Sequence, residues 1–153
     1  MSPLREIMRH VPSSVAVVTA LHDGAPVGMT VGSFTSASLD PPLVSFFAGK
    51  SSATWPLIER AGRFCVNVLS AHQPQVATAF AARDADRFGG RAWTASPLGS
   101  PLLDGVLAWL DCELHALHEV GDHLAVAGLV HGASAAGDVK PLVFFRGRLA
   151  ALD

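Results

Sequence analysis

The stretch VAVVTALHDGAPVGMTVGSFTSAS, residues 15–38, decides the architecture. Val15 to Leu21 is a β-branched run of strand length; His22-Asp23-Gly24 interrupts it, and Val27 to Val31 resumes it. Asp-Gly between two apolar runs is a hairpin signal, because a two-residue turn needs the positive φ that these residues tolerate. Beyond Val31 the apolar character gives way to Gly32, Ser33, Thr35, Ser36 and Ser38. The chain therefore opens with an antiparallel strand pair whose second member ends in small residues and hydroxyls.

The same alternation of short apolar runs and breakers continues outward. Pro3 to Arg9 has Leu4, Ile7 and Met8 at helical spacing. Pro41-Pro42 precedes Leu43 to Ala48, which reads as a buried strand. Thr54 to Ala61 reads as a short helix with Thr54 as N-cap, Pro56 in its first turn and Gly62 just past its end. Phe64 to Leu69 is another strand. A further helix begins between Ser70 and Pro74, with Val76, Ala77, Phe80 and Ala81 as its apolar face. Ala85 to Pro101 is Gly- and Pro-rich and reads as irregular. Val106 to Leu117 and Leu124 to Val130, with a turn near Gly121, form a long hairpin, and Leu142–Phe145 with Arg148–Leu152 close the chain as a final pair. About seven short strands around few helices predict a mostly-β fold, a small Greek-key barrel.

The 153 residues fit one domain, with no room for a separate cofactor domain. Half are hydrophobic and only 16% are charged, and the mean hydropathy is +0.36. A small domain exposes much of its surface, so this apolar surplus predicts burial against a partner subunit. Eleven basic and thirteen acidic residues give a net charge of −2, which argues against a general nucleic-acid binder. Cys65 and Cys112 form neither a disulfide framework nor a paired thiolate motif, as suits a reducing cytosol. Met1 to His10 lacks the apolar core of a signal peptide, and no apolar run reaches membrane-spanning length, so a soluble cytoplasmic protein is expected. Dinucleotide-fingerprint, Walker and nucleophile-elbow motifs are absent. His115 and His118 would face opposite sides of a strand, with no Cys or carboxylate spacing beside them, so no metal site is expected.

Four stretches carry polar groups that packing alone does not require. Gly28 to Ser38 leaves backbone N–H and C=O groups at a strand end, where they can hydrogen-bond a planar heterocycle; the same residues also suit an ordinary Ser/Thr-rich turn. Lys50-Ser51-Ser52-Ala53-Thr54 leads into a helix whose first turn, Trp55 to Ile58, holds no acid. Such a start offers N–H donors and positive charge to a phosphate, and is equally the composition of a plain cap. Gly121-Asp122-His123 is a turn whose histidine can reach a cleft. Phe144-Phe145-Arg146-Gly147-Arg148 offers two arginines to a pyrophosphate or carboxylate, or simply flanks a hairpin turn, and Asp86-Arg87-Phe88 is a weaker version of the same idea.

These stretches, in this order, resemble the short-chain flavin reductases with the FMN-binding split β-barrel, the reductase components of two-component flavin monooxygenases. The landmarks run from Val15–Ala20 and Pro26-Val27-Gly28-Met29-Thr30 through Ser33-Phe34-Thr35-Ser36 and Ser38-Leu39-Asp40-Pro41-Pro42-Leu43. Lys50–Thr54, Gly62–Leu69, Phe80-Ala81, Asp86-Arg87-Phe88, Gly121-Asp122-His123 and Phe145-Arg146-Gly147 complete them. The resemblance implies a homodimeric split barrel that transfers hydride from NADH or NADPH to FMN or FAD and supplies a partner monooxygenase. It places Gly28, Met29, Thr30, Val31, Gly32, Ser33, Ser36, Ala37 and Ser38 along the isoalloxazine ring and ribityl chain. It puts Lys50, Ser51, Ser52 and Thr54 near the phosphate, with Phe80, Arg87 and Phe88 also in the cofactor site. Gly121, Asp122, His123, Arg146 and Gly147 fall to the nicotinamide cofactor, and His123 is the expected catalytic residue. Many relatives carry Asn where this chain has Gly32, and Tyr near Leu149; this chain has no tyrosine. The alternative on the same fold is a flavin-binding carrier or sensor without turnover.

Overall fold

The computed structural model describes residues 2–83 and 86–152. In chain order they form α1 (Pro3–Met8), β1 (Ser13–Ser14), β2 (Ala16–His22), β3 (Ala25–Val31), β4 (Thr35–Leu39), β5 (Pro42–Gly49), α2 (Trp55–Ala61) and β6 (Arg63–Val68). There follow α3 (Pro74–Ala79), β7 (Trp93–Ala95), β8 (Pro101–Leu103), β9 (Ala108–Val120), β10 (His123–Ala135), β11 (Leu142–Phe145) and β12 (Arg148–Ala151). Seven strands make one antiparallel sheet in the order β3-β2-β6-β9-β10-β5-β4. β3 and β4 are its two edges, and β3 returns to contact β5 without pairing with it. The sheet thus curls into a barrel that stays split along that seam.

The hydrophobic run at 15–21 is unbroken because β2 is covered on both faces. Ala16, Val18 and Ala20 enter the barrel interior with Val44, Phe46, Trp55, Ile58, Phe64, Val66 and Val126. Val15 and Val17 face a second cluster with Leu69, Val76, Phe80, Phe88, Leu103 and Leu142. Phe46 meets Trp55 and Phe64 edge-on at 5.8 and 5.5 Å, the geometry that aligns ring edges with ring faces. Between the clusters lies a buried polar knot. Asn67 donates to Val17 O and Thr19 Oγ1, accepts from Leu103 N, and Thr19 Oγ1 donates to Pro101 O, so β8 is tied to the sheet with its polar groups satisfied.

Turn chemistry follows the sequence closely. Asp23 and Gly24 both take positive φ between the paired residues His22 and Ala25, as do Arg146 and Gly147 between Phe145 and Arg148; both are two-residue hairpin turns of the I′ kind. Other local expectations are corrected. The segment expected to be irregular, of which Ala85 lies outside the described residues, contains β7 and β8, which pair with each other. α3 ends at Ala79, before Phe80 and Ala81. Thr35–Leu39 is a strand, β4, although its Ser/Ala composition gave no strand signal.

Candidate functional site

Two regions of the seam bring the expected residues together. In the first, Gly28 and Met29 of β3 meet the Lys50–Thr54 segment. Arg87 binds them into one unit: its Nη1 donates to Gly28 O at 2.7 Å and to Thr54 Oγ1 at 3.0 Å, while Nε donates to Ala82 O at 3.0 Å. The adjoining cavity of about 320 Å³ is lined by Gly28, Ala53, Thr54, Arg83, Asp86, Arg87 and Phe88, among others. Two arginines and the Thr54 hydroxyl around one opening, against the single acid Asp86, leave a net positive wall that suits a phosphate.

The start of α2 differs from the expectation. Thr54 Oγ1 makes no cap hydrogen bond; instead Ser52 Oγ accepts from Thr54 N and Trp55 N at 3.2 and 3.1 Å. The cap begins two residues earlier because Ser52 N bonds Gly49 O and turns the chain there. Some of the helix-start donors are therefore already used, and Arg87, rather than the bare helix end, brings positive charge to Thr54.

Phe80 is also reassigned. It is fully buried and stacks edge-on against Phe88 at 4.9 Å, so its ring supports the site from behind and does not line that cavity. Gly28 has no side chain because that ring fills the space: an added Cβ would lie 2.9 Å from Phe80 Cε1. Thr30 is likewise committed, its hydroxyl donating to Ala77 O at 2.8 Å and its amide to Phe80 O. The other edge strand of the sheet, β4, carries Ser36, Ala37 and Ser38; Ala37 sits at the bulge between Ser36 and Ser38. Ser33 Oγ accepts from Phe47 N and fixes the connection between β3 and β4.

At the barrel rim, Gly121 takes φ +58° in the two-residue turn joining β9 to β10 and places Asp122 beside His123. His123 Nδ1 lies 2.7 Å from Asp122 Oδ1. That hydrogen bond, followed by the charge of His123 and then of Lys50, holds the Asp122 carboxyl below the usual carboxylate range. The carboxylate fixes the proton on Nδ1 and leaves Nε2 available. His123 Nε2 stands over Gly49, 3.9 Å from the place of an added Cβ. Lys50 N donates to Asp122 O at 3.0 Å, and Lys50 Nζ is 3.8 Å from Glu119 Oε1. The Lys50 and Gly121–His123 stretches, distant in sequence, are therefore one cluster.

Arg146 and Gly147 lie elsewhere, at the tip of the small sheet β1-β11-β12. Arg146 stacks its guanidinium 4.8 Å from the Phe145 ring centre, and Arg9 Nη2 donates to Arg146 O. The same sheet walls two cavities of about 540 and 620 Å³. Val15, Thr30, Val31, Ala77, Ala81 and Leu149 line the larger part of the first; Met8, Val11, Ser33 and Phe34 line the second; Ser13, Gly32 and Phe144 line both. Sequence reading missed Ser13 and the small residues of α3 and just beyond it as wall residues. The signal for the latter was the run Ala77-Thr78-Ala79, Ala81-Ala82, whose short side chains leave space beside a strand.

Residues 8–153 match the model of the flavin reductase like domain. A flavin reductase of Pseudomonas putida is 49% identical over 144 residues, covering 94% of this chain and 85% of the relative. The flavin-dependent monooxygenase reductase subunit HsaB of Rhodococcus jostii is 43% identical, covering 97% and 76%. The NADH:FAD oxidoreductase SgcE6 of Streptomyces globisporus, solved with NAD and FAD fragments, superposes with a TM-score of 0.92 at 36% identity, covering 98% of this chain and 91% of that one.

Proposed function

The chain belongs to the flavin reductase like domain family, and we propose that it is an NAD(P)H:flavin oxidoreductase that supplies reduced FMN or FAD to a separate monooxygenase. The observation that carries this reading is the Arg87 cluster: a guanidinium held between Gly28 O and Thr54 Oγ1, opening on a cavity beside the split seam. The residues fit a phosphorylated flavin, with Arg83, Arg87 and Thr54 toward the phosphate and the apolar walls at Val15, Val31, Phe144 and Leu149 toward the ring.

When bound, flavin and nicotinamide supply the hydride chemistry themselves. The protein's share is positioning and environment. Arg87 anchors the phosphate end. The β4 edge and the Gly32–Ser33 connection offer backbone groups to the ring edge. Asp122 orients His123 so that Nε2 serves the nicotinamide dinucleotide, and Lys50 adds positive charge within reach of the same end. The apolar walls keep water from the ring.

The rest of the assembly follows from the surface. Leu4, Ile7, Met8 and Val11 at the N-terminus and Phe144, Phe145 and Leu152 at the C-terminal hairpin are exposed apolar side chains, a composition suited to a homodimer interface. The chain then works as a single domain per subunit, in the cytoplasm, beside an oxygenase that consumes its product. Among the described residues no helix is long and apolar enough to cross a membrane. Stopped-flow oxidation of NADH and NADPH with FMN or FAD tests the reading: rapid, flavin-dependent oxidation is expected, with His123→Ala impairing nicotinamide use more than flavin affinity. Flavin bound without turnover would instead favour a carrier or sensor.

A further inference from the structure

A further cavity, of about 500 Å³, shares no lining residue with those at the seam or beside the small sheet. Three separate segments build it. The turn before α3 supplies Ser70, His72 and Gln73, the open end of the β7–β8 pair supplies Arg91 and Asp104, and Val139 comes from the segment before β11. Gln73 ties the first two together: its Oε1 accepts from Ser70 N at 3.0 Å, and its Nε2 donates to Asp104 O at 2.8 Å. Asp104 N donates to Ala92 O at 3.3 Å, which carries the Trp93–Leu103 pairing one residue further and brings Arg91 close to Asp104. Ala71 N donates to Lys140 O at 2.8 Å and draws the Val139 segment to the same opening.

The walls carry polar groups that the fold leaves uncommitted. Ser70 is 1% exposed, and its hydroxyl has no hydrogen-bond partner among the described residues. A buried hydroxyl left unpaired is unfavourable until a ligand supplies the partner. Arg91 spends its Nε on Arg87 O at 3.4 Å, and its Nη1 and Nη2 make no hydrogen bond among the described residues. Arg91 and Asp104 share the wall, yet no ion pair joins them among the described residues. His72 is the remaining titratable side chain there, and Val76, Leu103 and Val139 are apolar. We propose that this cavity binds a small zwitterion, an α-amino acid with an apolar side chain. Arg91 takes the carboxylate through its free fork, and the Asp104 carboxylate takes the ammonium. The Ser70 hydroxyl bonds a carboxylate oxygen, and the side chain lies against Val76, Leu103 and Val139. A plain acid would leave Asp104 facing its like charge, and a plain amine would do the same to Arg91, so a ligand carrying both charges satisfies both. The volume is that of ordinary small-molecule sites. The site is separate from the flavin chemistry, and the bond from Arg91 Nε to Arg87 O joins it to the backbone of the phosphate anchor.

Calorimetric titration of the intact protein with L-leucine tests the proposal. Two probes accompany it: 4-methylpentanoate, which lacks the ammonium, and 3-methylbutylamine, which lacks the carboxylate. Saturable binding of L-leucine with a Kd below about 1 mM is expected, and each analogue should bind at least about tenfold more weakly. Arg91→Gln and Asp104→Asn should each raise the L-leucine Kd at least about tenfold. Ser70→Ala should raise it about threefold without lowering the thermal midpoint, because the hydroxyl it removes has no partner in the free protein. No saturable binding of L-leucine up to about 10 mM would overturn the proposal, and so would an analogue that binds as well as L-leucine. An unchanged Kd in any of the three folded variants would overturn it too. Where a variant fails to fold, the comparison of the three probes on the parent protein decides. FMN affinity of the parent, titrated separately, bears on the flavin reductase reading alone.

Discussion

At Gly28 a single hydrogen in place of a methyl group decides whether the Arg87 site can form. The Phe80 ring that presses on it is itself wedged against Phe88 and fully buried, so neither neighbour can give way easily. Gly28→Ala is expected to destabilise the fold by about 1–3 kcal/mol, the usual cost of overpacking a dense core, read as a lowered urea midpoint with an unchanged slope. The sequence made Gly28 and Phe80 visible as members of one pattern, yet not as partners in a contact, because they are separated by a third of the chain. Ser52 shows a different kind of miss. Ser52 and Thr54 are both competent caps by composition, and only the turn set by Ser52 N to Gly49 O decides between them. Arg87 was legible as a polar residue near the site, while its grip on Gly28 O required the folded path of the segment after α3.

Among the elements, β9 carries the one buried carboxylate among the described residues. Asp111 is fully buried, accepts from Ser96 Oγ at 2.8 Å and from Leu98 N at 2.7 Å, and pins the loop between β7 and β8 onto the sheet. Asp111→Ala strands both donors and is expected to cost about 3 kcal/mol, seen as a lowered thermal midpoint with flavin affinity preserved, since the loop lies away from the Arg87 cavity. Elements such as β2, β5, β6 and the β9–β10 hairpin were readable from their apolar runs and the turn residues between them. β4 was not, because its Thr-Ser-Ala-Ser sequence has little to bury, and its strand geometry comes from pairing with β5. β7 and β8 are three residues each and exist through each other and the Asn67 knot. The candidate site follows the same division: its stretches are local and legible, and the walls contributed by β1 and β11 are long-range.

Across the whole molecule, both cysteines lie on adjacent positions of the sheet, wholly buried and near Asp111. Burial, and then the Asp111 charge, push the Cys112 thiol up to about 12 and the Cys65 thiol higher still, from an ordinary value of 9.0. The folded protein keeps these protons while the unfolded chain gives them up, so unfolding releases protons above pH 9. Stability from this source should be fully present below about pH 9 and decline toward pH 12, by up to about 1.4 kcal/mol per pH unit for each thiol. Cys112→Ala should flatten the decline, as followed by urea unfolding at pH 8, 9 and 10. The central claim, that the Arg87 cluster grips the phosphate of a flavin at the split seam, is tested most directly by titrating the purified protein with FMN and with riboflavin. The account predicts that FMN binds at least about tenfold more tightly, and that Arg87→Ala removes this advantage while leaving riboflavin affinity unchanged. Equal affinity for the two flavins in the parent protein would contradict it.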